Sequence, residues 1–267
     1  MQMRIFERFG AEISGMDIAT ARRSDAADIA ALVARHRVVV LRNQTCGDAD
    51  FVRFLAAIGP LTFTDGEVPV ADAPDLNIVT NIGRSTPPRS VFHTDTSYVQ
   101  RPPSYSALRA VILPDAGGCT LFSDQVRAAT DLPEAIRNRL TGRTLMHSTT
   151  ARDGRPIAAR HPILRRHPAT GEIALYLTTP ERCSDLDGMD AATSARIVAI
   201  LYKRSIKPSA VYRHHWRPGD IVIWDNRTTM HRADHGDVVG DRVLHRGLVQ
   251  GEAPVSVGDI TLSALAA

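Results

Sequence analysis

The sequence predicts a mainly β protein with peripheral helices, a double-stranded β-helix or jelly roll, on three observations. Short β-branched or apolar runs recur along its 267 residues, Gly/Pro turn signals separate them, and only a few segments carry helical periodicity. Strict strand-helix alternation is missing, which argues against a doubly wound α/β sheet.

Each element follows in order. Gly10 to Ile18 reads as short strands joined by glycine, and Asp25 to Arg35 as a helix with Ile29, Leu32 and Val33 on one face. Val38 to Leu41 has the pattern of a buried strand, and a second helix spans Asp48 to Ile58 until Gly59-Pro60 stops it. Leu76 to Thr80 and Ser106 to Leu113 are strands, the latter ended by Pro114 to Gly118 and resumed at Thr120 to Phe122. Asp131 to Leu140 reads as a helix with Pro133 in its first turn, and Ala191 to Tyr202 as another. Ile221 to Trp224 and Val243-Leu244 are strand-like, separated by a long polar stretch.

Composition narrows the class. With 43% hydrophobic and 23% charged residues the chain can bury a sizeable core. No repeat, low-complexity tract or Gly/Ser linker divides it, so residues 1–267 are read as one domain. The three cysteines stand far apart and outside any CxxC pattern, which argues against a disulfide framework or a cysteine zinc site and points to a reducing, cytoplasmic setting. No signal-peptide pattern opens the chain, and no apolar run approaches the ~18 residues of a membrane span. The formal charge of +3 is spread without a Lys/Arg block, so no nucleic-acid partner is expected and an anionic small molecule fits better.

The chemistry concentrates in two places. In Phe92-His93-Thr94-Asp95 one residue separates His93 from Asp95, which on a strand turns both side chains to one face, where imidazole and carboxylate can meet a cation. Alone, such a pair is more often structural. A second segment, Trp224 to Asp234, runs from a buried strand to His231 just past its end. Two His and one carboxylate on one face of a metal leave three sites for a bidentate co-substrate and O2, a set that selects Fe(II) over a closed zinc tetrahedron. Beyond His231, Arg242 and Arg246 share one face of a strand with Leu244, and a guanidinium at Arg242 suits the distal carboxylate of a 2-oxo dicarboxylic acid. The bland alternative for both arginines is a solvated surface charge.

These segments carry a family resemblance. His93-Thr94-Asp95, Gly117-Gly118-Cys119-Thr120-Leu121-Phe122, His161 to Gly171, and Trp224-Asp225-Asn226-Arg227 leading to His231, Arg242 and Arg246 together resemble the taurine dioxygenase / 2,4-dichlorophenoxyacetate dioxygenase family, as does the opening Gly10 to Gly15. The resemblance spans nearly the whole chain in order. It implies a jelly roll, a metal triad of His93, Asp95 and His231 holding Fe(II), and 2-oxoglutarate held by Arg242 with the hydroxyl of Thr120. It further implies that Arg246 lies near the iron, against the co-substrate's 1-carboxylate or a substrate anion, and that the chain forms a dimer or tetramer. Two departures stand out. Cys119 occupies a position that is often acidic in relatives, and Leu61 to Gly66 lacks the histidine and tyrosine that hold the sulfonate in taurine-specific relatives.

The reading is therefore a dioxygenase that hydroxylates a small anion (sulfonate, sulfate ester, phosphonate or carboxylate) using Fe(II), 2-oxoglutarate and O2. Arg89 and His147 are candidate substrate contacts beside Arg246, with walls from Thr62 to Ser90 and Ala151 to Arg160. The remaining histidines, His161, His167, His214 and His215, read as loop, structural or exposed residues, and Phe92 and Tyr98 as packing. Two alternatives compete: an O2-independent jelly-roll metal enzyme, which would not need Arg242, and a catalytically silent binding protein.

Overall fold

The computed structural model describes residues 2–83 and 90–257. Its frame is a nine-stranded sheet in which Ala11–Ser14, Val38–Leu41, Ile221–Asp225, Tyr105–Ile112, Val243–Val249 and Ala73–Thr80 lie side by side. Facing it is a three-stranded sheet with Thr120–Asp124 between Val211–His214 and Thr229–Ala233. Two further three-stranded sheets complete the molecule, one centred on Thr144–Thr150 and one on Leu164–Arg166.

Why Val38–Leu41 and residues 221–224 are apolar without interruption is visible in where alternate side chains go. Val39, Leu41, Ile221 and Ile223 pack with Ile29, Val33, Phe51 and Leu55 of the two N-terminal helices, which cover the outer face of the large sheet. Val38, Val40, Val222, Trp224 and Leu244 turn the other way and meet Phe122 of the small sheet. A strand covered on both faces has no polar side to show, and each fully buried Val, Leu or Phe side chain contributes roughly 1.5–3 kcal/mol. The result is the facing-sheet jelly roll the strand pattern predicts. The small sheet buries its outer face, Leu121 and Met230, against Val198, Leu201 and Leu145.

Helix limits differ in detail from expectation. The second helix, Asp48–Ile58, matches, because Phe51, Phe54 and Leu55 give a clean buried stripe and Gly59 closes the last turn on Leu55. The first runs Arg23–His36, its start held by the Asp25 carboxylate accepting the Arg22 backbone N–H at 2.8 Å. The expected Asp131 to Leu140 helix starts later, as Glu134–Leu140 after Pro133, and an unexpected short helix, Gln125–Thr130, whose N-terminal amides are capped by Asp124, precedes it. Proline has no N–H to donate, so the chain restarts there rather than continuing. The polar stretch before Val243 also contains a strand, Thr229–Ala233, whose polar residues are buried by the site they build.

Candidate metal centre

The triad is assembled between the two sheets. His231 lies in the middle of Thr229–Ala233, not past a strand end, and its backbone exchanges both hydrogen bonds with His93 at 2.9 Å. His93 to Asp95 is not a regular strand but a single antiparallel bridge followed by a turn with Thr96 at φ 47°. That bridge, rather than strand alternation, aims the His93 ring. The ring centroids of His93 and His231 are 4.3 Å apart, and ligand atoms of His93, Asp95 and His231 all lie within 4.8 Å of one another. No other such cluster of His, Cys, Asp or Glu occurs among the described residues.

Each member is held by its surroundings. His93 Nδ1 sits 2.9 Å from the Val91 carbonyl, which takes its proton and turns Nε2 toward Asp95, 3.6 Å from Oδ1. Asp95 accepts from Ser106 Oγ at 2.8 Å and from Arg246 Nη1 at 3.0 Å. Its backbone is clamped by Asn226, which accepts the Asp95 N–H and donates to the Asp95 carbonyl. Burial pushes the Asp95 carboxyl up, but Arg246 foremost, with His231 and His93, overrides it and holds the group well below the ordinary value of 3.8. Burial drives the His231 imidazole down to about 3. The pocket therefore presents a carboxylate and a neutral imidazole at pH 7, the protonation states a cation requires. Two imidazoles and a carboxylate on one side, with no thiolate, fit Fe(II) better than structural zinc.

Arg242 stands immediately before the strand Val243–Val249, 1% exposed. Its Nε donates to the Gly118 carbonyl at 3.0 Å and its Nη2 to Thr120 Oγ1 at 3.3 Å, while Nη1 has no partner. No carboxylate balances it among the described residues, and burial lowers its guanidinium to about 10. Gly118 makes the approach possible: its φ is +71°, and a Cβ there would sit 3.0 Å from Arg242 Cδ. The Thr120 hydroxyl also accepts from Trp216 Nε1 at 3.0 Å. With both lone pairs engaged, its proton is left to point into the cavity.

Two cavities flank the triad and share Glu67, His93 and Arg246 as a wall. One holds Thr120, Arg242 and His231; the other, about 220 Å³, holds Asp95, Tyr98, Thr179 and Arg182. Thr64 and Glu67 come from the expected Thr62 to Ser90 wall, but no residue of 151–160 lines either cavity. Arg89 lies outside the described residues. The sequence marks Tyr98 only as packing and gives no signal for Ser106, Thr179 or Arg182, while Asn226 is visible only as part of Trp224-Asp225-Asn226-Arg227.

His147 lies away from both cavities, 0% exposed, stacked on Tyr176 at 5.3 Å with His161 edge-on. His161, in the strand Pro156–Pro162, and His167, in the loop after Leu164–Arg166, are both buried: His161 Nε2 meets the Ser97 carbonyl at 2.8 Å, and His167 Nε2 meets Asp225 at 2.9 Å. Burial drives His147 to about 3 and His161 to about 4, below the unfolded value of 6.5. The unfolded chain therefore binds more protons, so this stability is complete above about pH 6.5 and is lost as the pH falls toward the folded values. Urea midpoints measured from pH 7 to 4.5 are expected to drop for wild type and to drop less for His147→Phe, which keeps the ring and removes the titration. Parallel curves would show that His147 does not drive the acid lability.

A facing-sheet fold with two histidines and a carboxylate converging between the sheets defines a jelly-roll protein with a His-Asp-His site that could hold one metal ion. Its sequence likeness is narrower. The family model described as taurine catabolism dioxygenase TauD, TfdA family matches residues 4–248, and the chain belongs to that family. An alpha-ketoglutarate-dependent 2,4-dichlorophenoxyacetate dioxygenase of Burkholderia sp. (strain RASC) is 32% identical over 201 residues, 70% of this chain but only 64% of that protein. An alpha-ketoglutarate-dependent sulfate ester dioxygenase of Pseudomonas putida is 29% identical over 273 residues, 94% of this chain and 89% of the relative. Among solved structures, a taurine dioxygenase from Burkholderia xenovorans aligns with a TM-score of 0.82 at 29% identity, over 96% of this chain and 93% of that one.

Proposed function

We propose that the chain, as one domain over residues 1–267, is an Fe(II)- and 2-oxoglutarate-dependent dioxygenase that hydroxylates a small anionic substrate and releases succinate and CO2. His93, Asp95 and His231 hold the metal; Arg242 and the Thr120 hydroxyl hold the distal carboxylate of 2-oxoglutarate; Arg246 faces its 1-carboxylate end. The observation that carries this reading is the buried Arg242 guanidinium with Nη1 unpaired and no counter-ion. A buried charge left unpaired costs several kcal/mol, so the site is built for an anion that arrives with the reaction. An O2-independent metal enzyme would have no use for it.

Bound iron supplies the oxidising power that couples decarboxylation of the 2-oxo acid to insertion of oxygen into a substrate C–H bond. The protein's part is orientation and exclusion. Ser106 and Arg246 fix the Asp95 carboxylate, the Val91 carbonyl fixes the His93 ring, and Phe122 and Trp224 wall off His231. Three free buried cysteines agree with a cytoplasmic setting, and family likeness with a homo-oligomer, dimer or tetramer. No helix among the described residues is long and apolar enough to cross a membrane.

Anaerobic titration tests the core of the reading. Protein given Fe(II) and then 2-oxoglutarate is expected to develop a weak visible absorption band, and admitting O2 with an anionic substrate to release succinate. Iron bound in stoichiometric amount with no band on saturation would rule out the chelate.

A further inference from the structure

Residues that alternate with the metal-facing ones turn to the other side of the small sheet. There the register sets Arg213, Leu121 and Arg232 in one row across its three strands. The two arginines thus start from backbones roughly 10 Å apart with a leucine between them. The adjacent row, Tyr212, Phe122 and His231, faces inward. The cover over Leu121 is incomplete: a cavity of about 350 Å³ opens on it, with Arg8, Arg213 and Arg232 on the wall and Val211, Ile206 and Phe92 around the floor. That volume lies within the ~300–1,000 Å³ of ordinary ligand sites.

Charge in this cavity is unbalanced. Among the described residues Asp234 is the only carboxylate that meets these arginines, 2.7 Å from Arg213 and 3.5 Å from Arg232, and it stands outside the lining. Arg8 donates to the carbonyls of Pro208 and Val211 and forms no ion pair among the described residues. Arg232 lies over the Phe92 ring, 5.4 Å from its centroid, and donates to Ser90 Oγ at 2.9 Å. Three guanidiniums against one carboxylate leave positive charge over a floor with no polar side chain, which suits an alkyl tail and not a sugar or a bare phosphate. We propose that this cavity is an effector site for an amphiphilic monoanion, its carboxylate among the three arginines and its chain over Leu121 and Val211. It shares no lining residue with the cavities at the triad. The link is the backbone: Phe92 precedes His93, Arg232 follows His231, and the two histidines exchange hydrogen bonds. A ligand that orders Phe92 and Arg232 and a metal that orders His93 and His231 act on the same two stretches, so each favours the other.

Calorimetric titration of the metal-free protein with butanoate, hexanoate and octanoate, beside acetate and inorganic phosphate, tests the site without calling on the dioxygenase reading. Affinity should rise along the series by up to about 4-fold per methylene, the limit for full burial, and fall with added salt. Arg8→Glu and Arg213→Glu, exposed positions outside both triad cavities, should each weaken octanoate by about 10-fold or more; Arg213→Lys should keep most of it. Octanoate should bind severalfold tighter once Fe(II) is loaded. No octanoate binding, or binding that both reversals leave unchanged while circular dichroism shows them folded, overturns the site. Phosphate binding tighter than octanoate overturns the ligand class, and equal octanoate affinity with and without Fe(II) overturns the effector role. A wild-type dimer that the two reversals dissociate, with no heat from octanoate, would give this face to a second copy and overturn the proposal as well.

Discussion

Replacing Arg242 by alanine is expected to weaken 2-oxoglutarate binding by about 30- to several-thousand-fold while leaving Fe(II) affinity nearly unchanged. The range follows from truncating one side of a buried, charge-assisted pair, roughly 2–5 kcal/mol, at about 1.4 kcal/mol per decade. The site favours the upper half: Arg242 is 1% exposed, its position is fixed by Gly118 and Thr120, and Nη1 waits unpaired. Arg242→Lys should be intermediate and pH-dependent. Burial that brings the guanidinium from 12.5 to about 10 would push an ammonium, ordinarily near ~10.4, toward neutrality, so the lysine variant should bind better as the pH is lowered. Pyruvate, which has no distal carboxylate, should bind wild type poorly and lose almost nothing further in Arg242→Ala. Equal losses for the two 2-oxo acids would mean that the arginine supports the fold and not the ligand.

The second large effect is at Asp95. Asp95→Ala removes the only anionic donor of the triad, and turnover is expected to fall below detection together with stoichiometric iron. It also strips partners from the Ser106 hydroxyl and from Arg246, which keeps Glu67 and Asn77. That should cost roughly 1–3 kcal/mol of stability, enough to shift a urea midpoint without unfolding the chain. Asp95→Asn keeps one oxygen and separates loss of charge from loss of side chain; both variants should be inactive. Colorimetric iron determination beside succinate release decides the matter, and full iron content in either variant would remove Asp95 from the metal.

What was legible in the sequence divides along a physical line. Elements specified by local chemistry were readable: the Asp48–Ile58 helix from Phe51, Phe54 and Leu55 with Gly59-Pro60 behind it, the central strands from unbroken β-branched runs, and the His-x-Asp pair with the distant His231. Elements whose residues are polar because of what they face were not. Thr229–Ala233 reads as part of a polar stretch because the strand that pairs with it, Thr120–Asp124, is far away in sequence. The spacing of His93 and Asp95 suggests a strand where the chain forms only a lone bridge to His231, which leaves no periodicity. Asn226 and Ser106 act through side chains that meet Asp95 only after the sheets close, and Arg182 sits in a short turn with no motif to mark it.

The two tryptophans of the chain both lie beside this site: Trp216 donates to the threonine that accepts from Arg242, and the Trp224 ring is 4.5 Å from that of His231. Intrinsic fluorescence of this protein is consequently a local signal. Trp216 reads the Thr120–Arg242 end and Trp224 the His231 end, while the helices that cover the outer face of the large sheet contain no indole at all. An emission change on heating or in denaturant therefore times the opening of the space between the sheets, and only circular dichroism beside it can tell whether the outer layer has let go.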